Sequence, residues 1–172
     1  MKNYEGTNLI FQSDSIHIRR DQYKTSNKVI INKDFVDHPG SVLIIGLRRE
    51  KILFVKQWRQ PVKKYTLELP CGTLNAGEDT ILAANREFRE ETGFGANIYK
   101  SFGSFFVAPG YSSEITEYFI AEDLFESPLE PDVDEEIGLE EYTLDEAFKL
   151  IKTNKIIDQG TISALNIYKS IL

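Results

Sequence analysis

Positions 86–91 read Arg-Glu-Phe-Arg-Glu-Glu, and a glycine stands at 93. On a helix, Glu87 and Glu91 lie one turn apart on a shared face, with Glu90 beside them. Like charges at that spacing repel by about a few tenths of a kcal/mol. The last turn of a helix also carries the negative end of its dipole, so acids placed there lose further stability. Local preference therefore opposes the arrangement twice, and a bound divalent cation would reverse both effects. Mg2+ takes oxygen ligands, keeps several waters, and bridges one or two carboxylates to substrate phosphates. Arg86 and Arg89 can neutralise or orient the neighbouring acids. Most charge runs are solvated helix faces, so the wider spacing has to decide between the two readings.

A helix must hold these groups. Its pattern runs from about Glu78 to Thr92, with Asp79 or Thr80 as its cap and Gly93 suited to the left-handed position past its end. Ile81, Ala84 and Phe88 give it an apolar side. Upstream, 8–12, 15–24 and 28–36 read as short strands and DHPG as a turn. SVLIIGL at 41–47 reads as a buried strand, with 51–58 as its hairpin partner. Residues 65–72 form a short extended segment broken by Pro70. Strands follow near 97–107, 115–121 and 137–142, with an acidic loop at 126–136 between the last two. Thr143 and Glu146 make a capping box for a helix at 144–153, and Asp158 or Thr161 starts a final helix. The order describes an α+β domain.

The chain has 172 residues, 41% of them hydrophobic, enough for a substantial core. A net charge of −7 argues against general binding of nucleic acid or anionic membranes. The lone Cys71 excludes an internal disulfide framework. No run is apolar enough for a signal core or a bilayer span. These features describe a soluble cytoplasmic protein. His17 and His38 fall outside any visible triad and are read as packing or turn residues.

The full spacing is Gly72, five residues, Glu78, seven residues, then Arg86, Glu87, Phe88, Arg89, Glu90, Glu91, Thr92, Gly93 and Phe94. This resembles the signature of the Nudix hydrolases at every required position. Seven fixed identities, each met by chance about once in fifteen, recur in on the order of one window per hundred million. The resemblance implies an α/β/α sandwich around a mixed sheet. It also implies metal-dependent hydrolysis of a nucleoside diphosphate linked to another group. Carried across, Glu87, Glu90 and Glu91 are the expected ligands of Mg2+, with Mn2+ as the alternative, and the Cys71 carbonyl is a frequent further ligand. Glu90 and Glu91 are thereby expected catalytic groups. Gly72 would let the backbone approach the metal, Glu78 would support the helix or a ligand, and Arg86 would pair with an acid.

Three further features resemble the ADP-ribose pyrophosphatase subfamily: Pro109-Gly110, sixteen residues after Gly93; VDHPGSVLIIGL followed by VKQWRQPV; and LELPCGTLNAGED leading into the box. That resemblance implies a phosphate contact for Arg59 and a substrate-binding role for Pro109 and Gly110. It offers Trp58, Phe11 or Tyr23 as the aromatic that stacks on adenine. Glu68 either binds the substrate's sugar or caps the hairpin. The general base would come from the acidic loop, as Glu135 or Glu136. An acid found in some relatives is replaced here by Val133, which leaves that choice open.

Residues 1–38 are expected to form an antiparallel β extension that pairs with a partner chain in a homodimer, and residues 39–172 the Nudix domain. The substrate expected is ADP-ribose or another nucleotide sugar, split to a nucleoside monophosphate and a sugar phosphate. A GDP-mannose-type hydrolase is a close variant. A non-catalytic ADP-ribose sensor is the alternative of a different class, which an intact box disfavours.

Overall fold

The computed structural model describes residues 3–130 and 136–172, in two compact units. The first holds residues 1–40 with 106–115, and the second 41–105 with 116–172. In the first, β1 (Asn3–Gln12), β2 (His17–Lys24) and β3 (Ile30–Asp37) form an antiparallel meander with β2 in the middle. β1 starts five residues before the strand read from sequence, because its polar end pairs across to Tyr23 and Lys24. Arg20 grips Asp34 across the sheet with two bonds of 2.6 and 2.7 Å. β1 pairs with β2 alone among the described strands, and Leu9, Ile10 and Phe11 on it stay about half exposed. The segment around Pro109 docks on β3. The Val36 N–H donates to the Tyr111 carbonyl at 2.8 Å, and the Ser113 N–H donates to the Val36 carbonyl at 3.0 Å. His38 sits in the turn that follows, its Nδ1 accepting from the Gly40 N–H.

The second unit is an α/β/α sandwich. Its sheet runs β10 (Ile137–Tyr142), β5 (Lys51–Arg59), β4 (Ser41–Arg48), β9 (Ile115–Glu126), β8 (Phe94–Phe106). β6 (Lys64–Glu68) pairs with β5, and β7 (Cys71–Thr73) pairs with β4. The run SVLIIGL is apolar throughout because both faces of β4 are covered. Val42 and Ile44 pack with Ala83, Ala84 and Phe88 of α1 (Thr80–Thr92). Leu43 and Ile45 pack with Ala147 of α2 (Leu144–Lys152) and with Ala164 and Leu165 of α3 (Gln159–Ile171). No helix among the described residues is long and apolar enough to cross a membrane.

The hairpin expected between 41–47 and 51–58 closes only at its tip, where Leu47 meets Ile52 and Arg48 meets Lys51. Below the tip, β4 changes partners. It runs parallel to β9 from Ser41↔Thr116 to Gly46↔Ala121, and Ser41 to Leu43 pair on the other side with β7. The sheet is mixed for that reason.

Caps set the helix ends. Asp79 accepts from the Ile81 N–H at the start of α1, and Gly93 closes it at φ 76°. Thr143 and Glu146 form the capping box of α2, and the Asp158 carboxylate caps α3. One helix expectation fails. Ile81 is 44% exposed, and the buried stripe of α1 runs through Ala84, Phe88 and Glu91. A carboxylate therefore occupies a position that the periodicity reserves for an apolar group.

Phe88 reaches its place because Gly46 has no side chain: a Cβ there would lie 2.4 Å from Phe88 Cζ. Gly46→Ala should thus overpack the core and cost on the order of 1–3 kcal/mol. Thermal unfolding should show Tm lowered by several degrees, and an unchanged Tm would mean that the Phe88 ring moves aside freely.

Candidate active site

Arg86 organises the box. Its five N–H groups are all used. Nε and Nη2 grip Glu78 at 2.9 Å each, Nη1 reaches Glu87 at 2.7 Å and Glu90 at 3.0 Å, and Nη2 also donates to the Thr73 carbonyl at 3.1 Å. One side chain thus ties the β7 loop, the start of the helix and its carboxylate face together. Glu78 also accepts from the Asn75 N–H, closing the loop ahead of the helix. The Arg86 fork, with that N–H, holds the Glu78 carboxyl down at about 2, and the Arg86 guanidinium is in turn pushed above its ordinary value. The repulsion expected among the clustered acids is offset by this guanidinium.

Glu91 is stabilised differently. It is 6% exposed, and its Oε2 accepts from the Cys71 N–H at 2.9 Å. β7 thereby fastens the end of α1 to the strand leading into the box. Burial, with the nearby Glu91 charge, pushes the Cys71 thiol well above its ordinary range, and its side chain packs against the core as a small apolar group. At Gly72 a Cβ would fall 1.9 Å from Glu87 Cδ. What approaches that backbone in this structure is the Glu87 carboxylate, which rests where a side chain would otherwise be.

Among the described residues no three His, Cys, Asp or Glu side chains form a ready-made metal cage. The donor chemistry nevertheless fits a hard divalent ion. One guanidinium holds Glu78, Glu87 and Glu90 together, and Glu91 is a fourth carboxylate nearby in sequence. All of these donors are oxygens.

Other residues singled out by sequence are placed as follows. Arg59 makes a two-pronged pair with Glu68, Nε to Oε1 at 3.1 Å and Nη2 to Oε2 at 2.6 Å. Glu68 is 5% exposed, and both its oxygens are engaged there, which raises the Arg59 guanidinium above its usual value. Trp58 alternates to the opposite face of β5 from Arg59, packs edge-on against Tyr65 and donates to Gln60 Oε1. Pro109 and Gly110 lie in the first unit, lining a cavity of about 410 Å³ with Tyr23 and Phe35. Phe11 lies on β1 of that same unit. Glu136 is exposed just ahead of β10, and Glu135 lies outside the described residues, as does Val133.

The sequence pattern offers Arg89 as a neighbour for the acids. Instead its Nε donates to the Ser127 carbonyl at 2.9 Å, while the Leu129 N–H donates to the Arg89 carbonyl and the Ser127 N–H donates to the Gly93 carbonyl. The beginning of the acidic segment is thereby fastened to the end of α1. Pairing across 38 residues leaves no signal in local spacing.

A NUDIX domain profile matches residues 37–164. The chain belongs to the Nudix family of hydrolases. Among its Nudix relatives, the ADP-ribose pyrophosphatase of Bacillus subtilis (strain 168) is 34% identical over 159 residues, 91% of this chain and 86% of that one. A protein named methanol dehydrogenase activator, from Bacillus methanolicus, is 36% identical over 162 residues, 92% of this chain and 88% of that one. A crystal structure of an ADP compounds hydrolase superposes with a TM-score of 0.87 over 99% of this chain and 94% of that one. At 23% identity, that likeness speaks for the Nudix fold alone.

The Glu78–Arg86 pair in the Nudix box makes a pH prediction. A carboxyl held below its ordinary value of 4.5 contributes stability that is complete above that pH and is lost as pH falls through about 2. Glu78→Gln should lower Tm at neutral pH and converge on the wild type toward pH 2. Parallel melting curves across that window would show that the pair contributes nothing.

Proposed function

We propose that this Nudix hydrolase is a divalent-metal-dependent pyrophosphohydrolase. It cleaves ADP-ribose or a related nucleoside diphosphate sugar to a nucleoside monophosphate and a sugar phosphate. The observation that carries the reading is the gathering of Glu87, Glu90 and Glu91 on the last turns of α1, the first two held by Arg86 and the third by the Cys71 N–H. The name of the Bacillus subtilis relative supports the substrate class.

Glu87, Glu90 and Glu91, with the Cys71 carbonyl, would hold Mg2+ or Mn2+. The bound ion would supply polarisation of the diphosphate, an anion that otherwise repels its attacker. The protein's own groups do the rest. Arg86 keeps Glu87 and Glu90 aimed, and the Cys71 N–H fixes Glu91. Arg59 offers the diphosphate the edge of its guanidinium that Glu68 does not use. Glu135 or Glu136 takes the proton from the attacking water. No serine or cysteine nucleophile is required.

A second copy of the chain is proposed to cover the exposed Leu9, Ile10 and Phe11 of β1. Ile10→Lys should convert a homodimer to a monomer in analytical ultracentrifugation without loss of secondary structure. A wild-type chain that sediments as a monomer at micromolar concentration would end that proposal.

A second use of the same site has one observation behind it, the relative named as a methanol dehydrogenase activator. On that reading, hydrolysis serves a partner dehydrogenase.

The experiment is Mg2+-dependent phosphate release, with a coupled phosphatase, from ADP-ribose, other nucleoside diphosphate sugars and 8-oxo-dGTP. ADP-ribose or another nucleotide sugar should lead, EDTA should abolish turnover, and Glu91→Gln should lower kcat by a factor on the order of a thousand or more. Near-normal turnover in Glu91→Gln would remove the metal-site assignment. Tight ADP-ribose binding without any turnover would favour a sensor. Stimulation of a methanol dehydrogenase by the wild type but not by Glu91→Gln would support the activator reading.

A further inference from the structure

The tip of the β4–β5 hairpin lies at the far end of the sheet from Arg59. Lys51 and Arg59 are the two ends of β5, about 27 Å apart along an extended strand. On β4, Arg48 stands about 17 Å beyond Leu43, the residue that pairs with Cys71. Register gathers charged side chains at this tip. Arg48 pairs with Lys51, and Glu141 of β10 pairs with Leu53, two positions along β5 and on the same side as Lys51. A cavity of about 490 Å³ opens among Arg48, Arg49, Glu50, Lys51, Glu141 and Thr143. Among the described residues no apolar side chain lines it.

Three cations stand there against two carboxylates, in a chain whose net charge is −7. Arg48 is held in place. Its Nη1 donates to Glu141 at 2.5 Å, and its guanidinium lies over the Phe94 ring at 4.9 Å from the centroid. Those contacts fix its plane and leave Nε and Nη2 uncommitted among the described residues. Arg49 differs, because its side chain makes no hydrogen bond or ion pair among the described residues. It also sits at φ 59°, a left-handed conformation that glycine adopts readily and a side chain with a Cβ resists. The tight turn requires that backbone, but it does not require an arginine. Backbone strain of this kind clusters at ligand sites.

We propose that this cavity is a second anion site, which binds a phosphate dianion. Arg48 supplies an oriented planar fork, and Arg49 and Lys51 add two further positive charges. Glu50 and Glu141 restrict the class of ligand. They repel an extended polyanion laid across the tip, such as a nucleic acid or an anionic bilayer, whereas a compact dianion is held among the cations alone. The volume is that of a small-ligand pocket, which leaves room for a short group esterified to the phosphate. The site is independent of what the carboxylate box hydrolyses.

The test is amide proton–nitrogen correlation NMR of the full chain, titrated with sodium phosphate and, as a control, with sodium chloride at matched ionic strength. Amides of residues 48–51, 141 and 143 should shift saturably with phosphate and stay still with chloride. Arg49→Gly removes the guanidinium and suits the left-handed backbone. It should weaken phosphate at least about tenfold without lowering Tm. Lys51→Gln should weaken phosphate in the same direction. Equal shifts with chloride, shifts confined to the surroundings of Arg59 and the box, no saturation by about 10 mM phosphate, or unchanged affinity in Arg49→Gly overturns the proposal. A parallel titration with glycerol 1-phosphate separates the two sources of the dianion. Tighter binding than inorganic phosphate assigns the site to an organic monoester, and weaker binding assigns it to the free ion.

Discussion

The guanidinium of Arg86 is the constraint on which the rest of the site depends. A carboxylate-rich helix end is unstable by itself, and the acids cannot be spread apart without losing their common face. Arg86 resolves the conflict with one planar group that reaches the loop carbonyl of Thr73, the helix entry at Glu78 and the carboxylates of Glu87 and Glu90. A lysine could not do the same, since its ammonium offers three donors about a point rather than five in a plane. The result is one network in which a single guanidinium, a loop carbonyl and three carboxylates fix one another.

Much of this was legible in sequence because it is local. The box fixes identities within about one helix length, the Asp79 cap and left-handed Gly93 follow from chain geometry, and the capping box of α2 reads directly from Thr143 and Glu146. The α/β/α sandwich with its mixed sheet was legible through family resemblance, whereas the strands of the separate N-terminal sheet were legible in the pattern itself. Periodicity placed Ile81 inside and said nothing of Glu91, because a buried acid looks like a polar residue until the Cys71 N–H that receives it is known.

Long-range pairing was the part that spacing could not carry. The resemblance offers Arg59 a phosphate contact and leaves Glu68 between the substrate's sugar and a hairpin cap. The register that sets Val55 opposite Glu68 and Arg59 opposite Lys64 brings the two side chains to one face of the hairpin, where they meet each other. Arg89 likewise finds its partner in the carbonyl of Ser127, and the Glu87 carboxylate comes to rest against the Gly72 backbone. Each of these is a tertiary outcome of strand register or helix docking, invisible to a one-dimensional pattern.

The change of partner along β4 has a consequence for how the molecule comes into being. Its parallel pairing with β9 joins Ser41 to Thr116, residues 75 apart, with a buried hydroxyl contact at 2.7 Å between them. Closing so long a loop costs chain entropy before any contact offsets it, and parallel pairing of this kind is a slow event. The carboxylate helix and β7 both lie inside the loop. On the ribosome, the strand that anchors β7 emerges early, while the strand that completes the sheet emerges only after the whole box has been made. Assembly of the core and docking of the box against its sheet are thus a single late event, so a partly folded chain does not carry a finished box.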